Sequence, residues 1–334
     1  MSYRHCFLLL ALLASGALWA DEPALTPDQL KPAIAKALPL LEKGAVGHRE
    51  NRDCFSCHNQ GVPILALTTA RSRGFEINTG ELQQQTEFIA NFLKLNRDKF
   101  LEGKGTGGQV DTAGYALLAL EVAGRPADDT TAAVAEYLLL FQKDADHWKN
   151  SSNRPPSEGG EFTTTYLGLR GLKSHGTAEQ QERIAVRREQ VRGWLSKAEA
   201  KSTEDHVFRL WSLKLLEFPA DDLAAATRQL LALQRDDGGW SQLPDMSSDA
   251  YATGSALVAL HEAGDVKPGE ASYQRGLRFL LKTQQDDGSW HVKSRSKPFQ
   301  TYFETGFPHG KDQFISAAAS GWATIALALA LEKS

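Results

Sequence analysis

The chain has 334 residues, with 37 Lys and Arg against 41 Asp and Glu, for a net charge of −4. A hydrophobic share of 42% supplies a packed core and excludes disorder, while 28 Gly and 13 Pro exclude a collagen-like or low-complexity polymer. The acidic balance gives no electrostatic case for nucleic acid, three Cys cannot make a disulfide scaffold, and the length alone is compatible with two domains.

The first element reads as an export signal. Arg4 precedes an unbroken apolar run from Cys6 to Ala20, and acidic residues begin at Asp21. That order of charge, apolar run and small-residue exit predicts a signal peptide over 1–20 and a periplasmic protein at 21–334. The alternative is a retained anchor, for which the run is short against the ~20 residues a span needs. Every later apolar stretch is broken by charges, so no transmembrane span is expected after cleavage. Cleavage would leave Cys54 and Cys57.

Those two cysteines fall in Cys54-Phe55-Ser56-Cys57-His58, the Cys-x-x-Cys-His spacing of c-type haem attachment. Two thiols at this spacing can bond the two vinyl groups of one porphyrin, and the adjacent His58 can give iron its proximal nitrogen. One covalently held haem c is therefore expected. Three rivals exist. A thioredoxin-like redox pair wants a βαβ context, which is absent; a disulfide needs only an oxidising compartment; a zinc site needs a fourth ligand.

Apolar helical periodicity then marks twelve candidate helices, starting near 26, 61, 78, 110, 128, 161, 177, 203, 219, 249, 269 and 312. Gln142, Gln234 and Gln284 are each followed six residues later by Trp148, Trp240 and Trp290, the last two within QRDDGGW and QQDDGSW. Each motif follows an amphipathic stretch and precedes a run rich in small residues, such as TGSALVALHEAG. Gly74, Gly124, Gly176 and Gly264 close helix-like runs, a role in which Gly enters the left-handed region freely. This period of about fifty residues, with two helices per unit, predicts one all-α domain of about six helix pairs rather than two domains, stacked as an open superhelix or closed into a ring, and the small-residue runs favour the ring.

The connection at 291–311 is long and holds His291, Lys293, Arg295 and His309. Long ordered loops are commonly functional. His309 and His291 are therefore the first candidates for a distal iron ligand, ahead of Met246 and His48, His147, His175, His206 and His261. Lys293 and Arg295 are candidates to grip haem propionates, the alternative being a solvated basic loop.

The Gln–Asp–Gly–Trp repeats resemble those of the squalene–hopene cyclase and prenyltransferase β-subunit superfamily over essentially all of 21–334. The resemblance implies an (α/α)6 toroid, with the Gln and Trp tying a turn to a helix end. The superfamily's chemistry is not matched. Its cyclases protonate substrate with Asp-x-Asp-Asp, whereas the nearest string here is Asp144-Ala145-Asp146-His147. Its prenyltransferases hold zinc with Asp, Cys and His, whereas this chain has no Cys beyond Cys57, and Ser316 falls near the expected His. Neither activity is expected on that ground. The segments DCFSCHNQGVPILAL and DGSWHVKSRSKPFQTYFETGFPHGKDQFISAAASGWATIALAL are similar to exported bacterial proteins that join a c-type haem motif to such repeats. The resulting expectation is a haem redox or electron-transfer protein with an unidentified redox partner. The alternatives are a haem-dependent oxidoreductase acting on an apolar, isoprenoid-like molecule in the ring, or a non-catalytic haem- or lipid-binding or sensing module.

Overall fold

The structure, a computed structural model, describes residues 23–297 and 301–333. The apolar run expected to be an export signal lies outside them. Among the described residues the chain forms thirteen α-helices: α1 (Pro27–Asn51), α2 (Val62–Arg71), α3 (Thr79–Leu95), α4 (Arg97–Leu101), α5 (Gln109–Val122), α6 (Asp129–Leu140), α7 (Glu161–His175), α8 (Gln181–Leu195), α9 (Thr203–Leu215), α10 (Ala220–Leu231), α11 (Ala250–Glu262), α12 (Ala271–Thr283) and α13 (Gln313–Leu329). Twelve match the expected starts; the short α4 was not foreseen. Side-chain caps fix several beginnings: Asn78 accepts from the Glu81 amide at 3.0 Å, Ser202 from Asp205 at 3.1 Å and Asp249 from Ala252 at 2.9 Å.

Packing sorts the helices into two layers. Helices α2, α5, α7, α9, α11 and α13 each touch the next, and α13 returns to α2, closing an inner ring. Helices α1, α3, α6, α8, α10 and α12 lie outside it. Inner helices are covered on all sides, so α5, α11 and α13 are buried along most of their length and carry apolar or small residues all round. Small residues set the approach. A Cβ on Gly114 would stand 2.6 Å from Leu167 Cβ, and one on Gly321 would stand 2.8 Å from Val62.

The Gln–Trp motifs hold the ring together, as expected. Trp148, Trp240 and Trp290 are fully buried, and each indole N–H donates to the carbonyl ten residues earlier: Leu138 at 3.1 Å, Leu230 at 2.8 Å and Leu280 at 2.8 Å. Gln234 donates to Gly238 O in its own turn and to Ser272 O at 2.7 Å on α12. Gln284 does the same with Gly288 O and, across the closure of the ring, with Ala33 O at 2.8 Å on α1. Gly288 has a φ of +95°, and a Cβ there would stand 2.6 Å from Lys36 O, so only Gly fits the junction. The helix-closing glycines divide. Gly74 and Gly124 are left-handed, as expected, whereas Gly176 (φ −69°) and Gly264 are not. The latter pair are excluded from bearing side chains by close approach instead, to Ile184 and to Leu260 O respectively.

Candidate functional site

Inside the ring, side chains one helical turn apart form columns running along the barrel. Asp111, Tyr115, Leu118 and Val122 form one on α5; Thr163, Tyr166 and Arg170 another on α7; Glu204, Phe208 and Trp211 a third on α9; and Tyr251, Ser255, Val258 and Glu262 a fourth on α11. The N-terminal ends of the inner helices gather polar groups, their middles aromatic rings, and their C-terminal ends a solvent-facing rim.

The aromatic middle bounds a cavity of about 470 Å³, lined by Tyr115, Tyr166, Phe208, Trp211 and Trp322 with Leu118 and Val258. The rings touch in series: Tyr166 to Phe208 and to Trp211 at 5.5 Å between centroids, and Trp211 to Trp322 at 5.7 Å. Its mouth lies at the C-terminal ends, where lining residues Ser72 and Glu262 are exposed and Val122 and Arg170 half-buried.

The opposite end is sealed by the segment 150–160, a strap between α6 and α7 that bonds to α5, to α7 and to the turn carrying His58. Asn150 Nδ2 donates to Asp111 at 2.9 Å, Ser157 Oγ lies 2.7 Å from His58 Nε2, and Arg154 pairs with Glu158. The Tyr251 hydroxyl donates to Glu204 at 3.1 Å, and Thr163 donates to the same carboxyl oxygen at 3.2 Å. Two polar pairs, His58 with Ser157 and Tyr251 with Glu204, thus lie beneath the aromatic layer.

Burial raises the affinity of this layer's carboxyls for their protons. Burial, with the negative field of Glu158, pushes the Asp111 carboxyl up to about 8. Burial also raises Glu158 and lifts Glu204 well above the usual carboxylate range. The hydrogen bonding around Asp111 suits the neutral acid. Thr164 Oγ1 lies 2.6 Å from Asp111 Oδ1 and 3.0 Å from the Gly160 carbonyl, and it has one hydrogen to give. Donated to Gly160, that hydrogen leaves Thr164 to accept the proton of the carboxylic acid, while Asn150 donates to the other oxygen. Tyr115 stands one turn above Asp111, and a helical side chain covers the turn N-terminal to its own Cα. Tyr115 lines the cavity, and its buried hydroxyl has no hydrogen-bond partner among the described residues.

The Cys-x-x-Cys-His motif belongs to this sealed end. Residues Cys57–Gly61 form a π-helical turn leading into α2. Cys54 is exposed, whereas Cys57 is buried, its thiol pushed well up by burial and by Glu158. Burial, aided by the positive field of Arg154, lowers His58 to about 3, so its imidazole is neutral. In this arrangement His58 Nε2 is engaged by Ser157 Oγ, a contact that would have to open before the imidazole could bind iron. The other expected haem groups lie elsewhere. His291 and His309 stack on each other at 4.6 Å and are engaged by Asp312 at 2.8 Å and Ser289 at 2.7 Å. Among the described residues no hydrogen bond or ring contact joins either to His58. Arg295 donates to Gln242 at 2.9 Å, and Lys293 is exposed. Asp144 and Asp146 sit in a turn outside the cavity, Asp146 bonded to His147 at 2.6 Å.

Asp111, Glu204, Glu158 and Tyr251 were not singled out from sequence. The signal available was the polar residue heading each otherwise apolar inner stripe, above all Asp111 in Asp111–Tyr115–Leu118–Val122.

A closed double ring around an aromatic cavity defines an α/α toroid of terpene-cyclase-like fold. No family model matches the chain. It is 28% identical over 203 residues to a drimenyl diphosphate synthase of Streptantibioticus cattleyicolor, covering 57% of this chain and 37% of that protein. It is 30% identical over 115 residues to a lanosterol synthase of Aspergillus fumigatus, covering 33% of this chain and 14% of that protein. The chain therefore spans well under half the length of either relative. Among solved structures, a point variant of the type II terpene cyclase MstE from Scytonema, in complex with geranylgeranyl dihydroxybenzoate, is similar in fold. It matches with a TM-score of 0.54 at 13% identity, over 91% of this chain and 98% of that one. A possible GH105 member from Salmonella enterica matches with a TM-score of 0.51 at 16% identity, over 96% and 98%. At such identities the structures show the fold alone.

Proposed function

We propose that the protein binds an apolar, isoprenoid-like molecule in its central cavity and donates a proton to it, as a terpene-cyclase-like enzyme. The observation that carries this reading is the stacking, along one axis, of an aromatic cavity over carboxylic acids held protonated by burial. Proton transfer to a carbon–carbon double bond leaves a carbocation, which the faces of Phe208, Trp211 and Trp322 attract. Loss of a proton from a neighbouring carbon, or capture by water with loss of one of its protons, ends the reaction, and the released proton restores the carboxylate left by the donor. The sealed lower end keeps bulk water from the acids. Similarity to a drimenyl diphosphate synthase supports the choice. The missing Asp-x-Asp-Asp string, which argued against cyclisation, loses its force because separate helices supply the acids: Asp111 on α5 and Glu204 on α9.

The test is incubation of the full chain with farnesyl and geranylgeranyl substrates in D2O, with products read by gas chromatography and mass spectrometry. Deuterium in a cyclised or hydrated product is expected, and Asp111→Asn or Glu204→Gln should abolish it. No product at all, or turnover unchanged in both variants, overturns the proposal.

A second reading keeps the haem of the sequence motif: an exported chain carrying one haem c on Cys54 and Cys57, with a redox role. What favours it is the motif itself, with both thiols free. It requires the 150–160 strap to leave His58. Haem retained by the denatured, washed protein, and lost on Cys54→Ser with Cys57→Ser, would support it. Its absence after co-expression with a haem-attachment system would end it.

A further inference from the structure

The charges at the cavity mouth are arranged against an anionic occupant. Among the lining residues Arg170 is the one cation, and it is already engaged. Its Nε and Nη2 donate to the two carboxylate oxygens of Glu121 at 2.9 and 2.8 Å, and its Nη1 lies 3.3 Å from Tyr166 OH. Burial works to raise the Glu121 carboxyl, but the Arg170 bonds outweigh it and hold the group below the usual carboxylate range. A second carboxyl, Glu262, is exposed on the same mouth, although its surroundings desolvate it enough to raise it against the pull of Arg170. One neutralised cation and an additional acid leave no free side-chain cation among the described lining residues to clamp a multiply charged head group, which needs several Arg or Lys donors.

Resting on the cavity reading above, we infer that the occupant is an apolar molecule whose polar end is neutral or cationic, such as an alcohol, phenol or amine, and that a diphosphate is rejected. The apolar chain enters the aromatic layer, and the polar end stays at the mouth. There a hydroxyl or ammonium donates to Glu262, while a diphosphate meets that carboxyl with like charge.

Isothermal titration of the full chain with farnesol, farnesylamine and farnesyl diphosphate tests this, at low ionic strength and mildly alkaline pH so that Glu262 is charged. The alcohol and amine should bind about tenfold or more tighter than the diphosphate, the effect of one unopposed charge at contact near a wet surface. Glu262→Lys, at an exposed position, should raise the affinity for the diphosphate relative to the alcohol by about the same factor. A diphosphate that binds the native chain as tightly as the alcohol, or a ratio unmoved by Glu262→Lys, overturns the head-group inference and leaves the cavity reading standing. Failure of all three ligands to bind overturns both.

Discussion

Asp111→Asn isolates one buried proton. In the folded chain this carboxyl is pushed up to about 8, against 3.8 for the ordinary group. Below the ordinary value both folded and unfolded chains hold the proton, and the site adds no pH dependence. Between the two values the unfolded chain releases it while the folded chain keeps it, so native stability falls by about 1.4 kcal/mol per pH unit as pH rises. Above about 8 both forms are ionised and the slope from this site vanishes. Asn has no proton to lose. Its amide can donate to Thr164 and its carbonyl can accept from Asn150, reproducing the neutral acid's bonds. The stability of the variant relative to the native chain should therefore rise by about 2–3 kcal/mol between pH 5 and pH 7. Urea unfolding at both pH values, followed by far-ultraviolet circular dichroism, measures this directly. An equal difference at the two pH values would refute the reasoning, because it would mean that Asp111 ionises alike in both states.

Two further outcomes test the frame around the site. Trp240→Phe removes the N–H that Leu230 O accepts at 2.8 Å and should cost about 1–3 kcal/mol by leaving a buried carbonyl unsatisfied, read as a lower urea midpoint with unchanged helicity. In a Cys6→Ser background, a disulfide-exchange reagent should modify exposed Cys54 rapidly and buried Cys57 only on unfolding. Cys54→Ser should therefore remove the fast phase, and a fast phase surviving that change would place Cys57 at the surface.

The ring was legible because its determinants are local. The inner helices announce themselves by apolar and small residues in sequence, and three of the units by a Gln and a Trp six residues apart. Even the ring's closure, Gln284 to Ala33, uses the same Gln as the internal junctions. The site was not legible in this way. Asp111, Glu204 and Tyr251 are polar residues in the first turns of three helices, where an acid is also favoured by the helix dipole, and nothing in one segment separates the two roles. Only closure brings them together, and it also lays Ser157 on His58 across 99 positions of chain. The haem motif was read from spacing, which fixes what five residues could bind. It does not report what the fold packs against them, here a strap that in sequence is an ordinary polar loop. Gly176 and Gly264 teach the same lesson on a smaller scale: a glycine at a helix end was read as backbone freedom, and neighbouring atoms turned out to be the reason.

The acid layer is where shape and chemistry make opposite demands. A carboxyl whose folded-state affinity for its proton is raised lowers stability at neutral pH, and a neutral isostere does not. If Asp111 served the ring alone, Asp111→Asn would be a gain at pH 7 with no loss elsewhere. If Asp111 holds a proton for the cavity, the same variant becomes more stable at pH 7 and still binds farnesol, since Asp111 does not line the pocket, yet forms no deuterated product. Stability, binding and turnover measured on that one protein therefore separate the two. A variant that gains stability and keeps turnover assigns the proton to packing. One that gains stability and loses turnover assigns it to chemistry, because perturbed acids beside an apolar cavity are what proton donation requires.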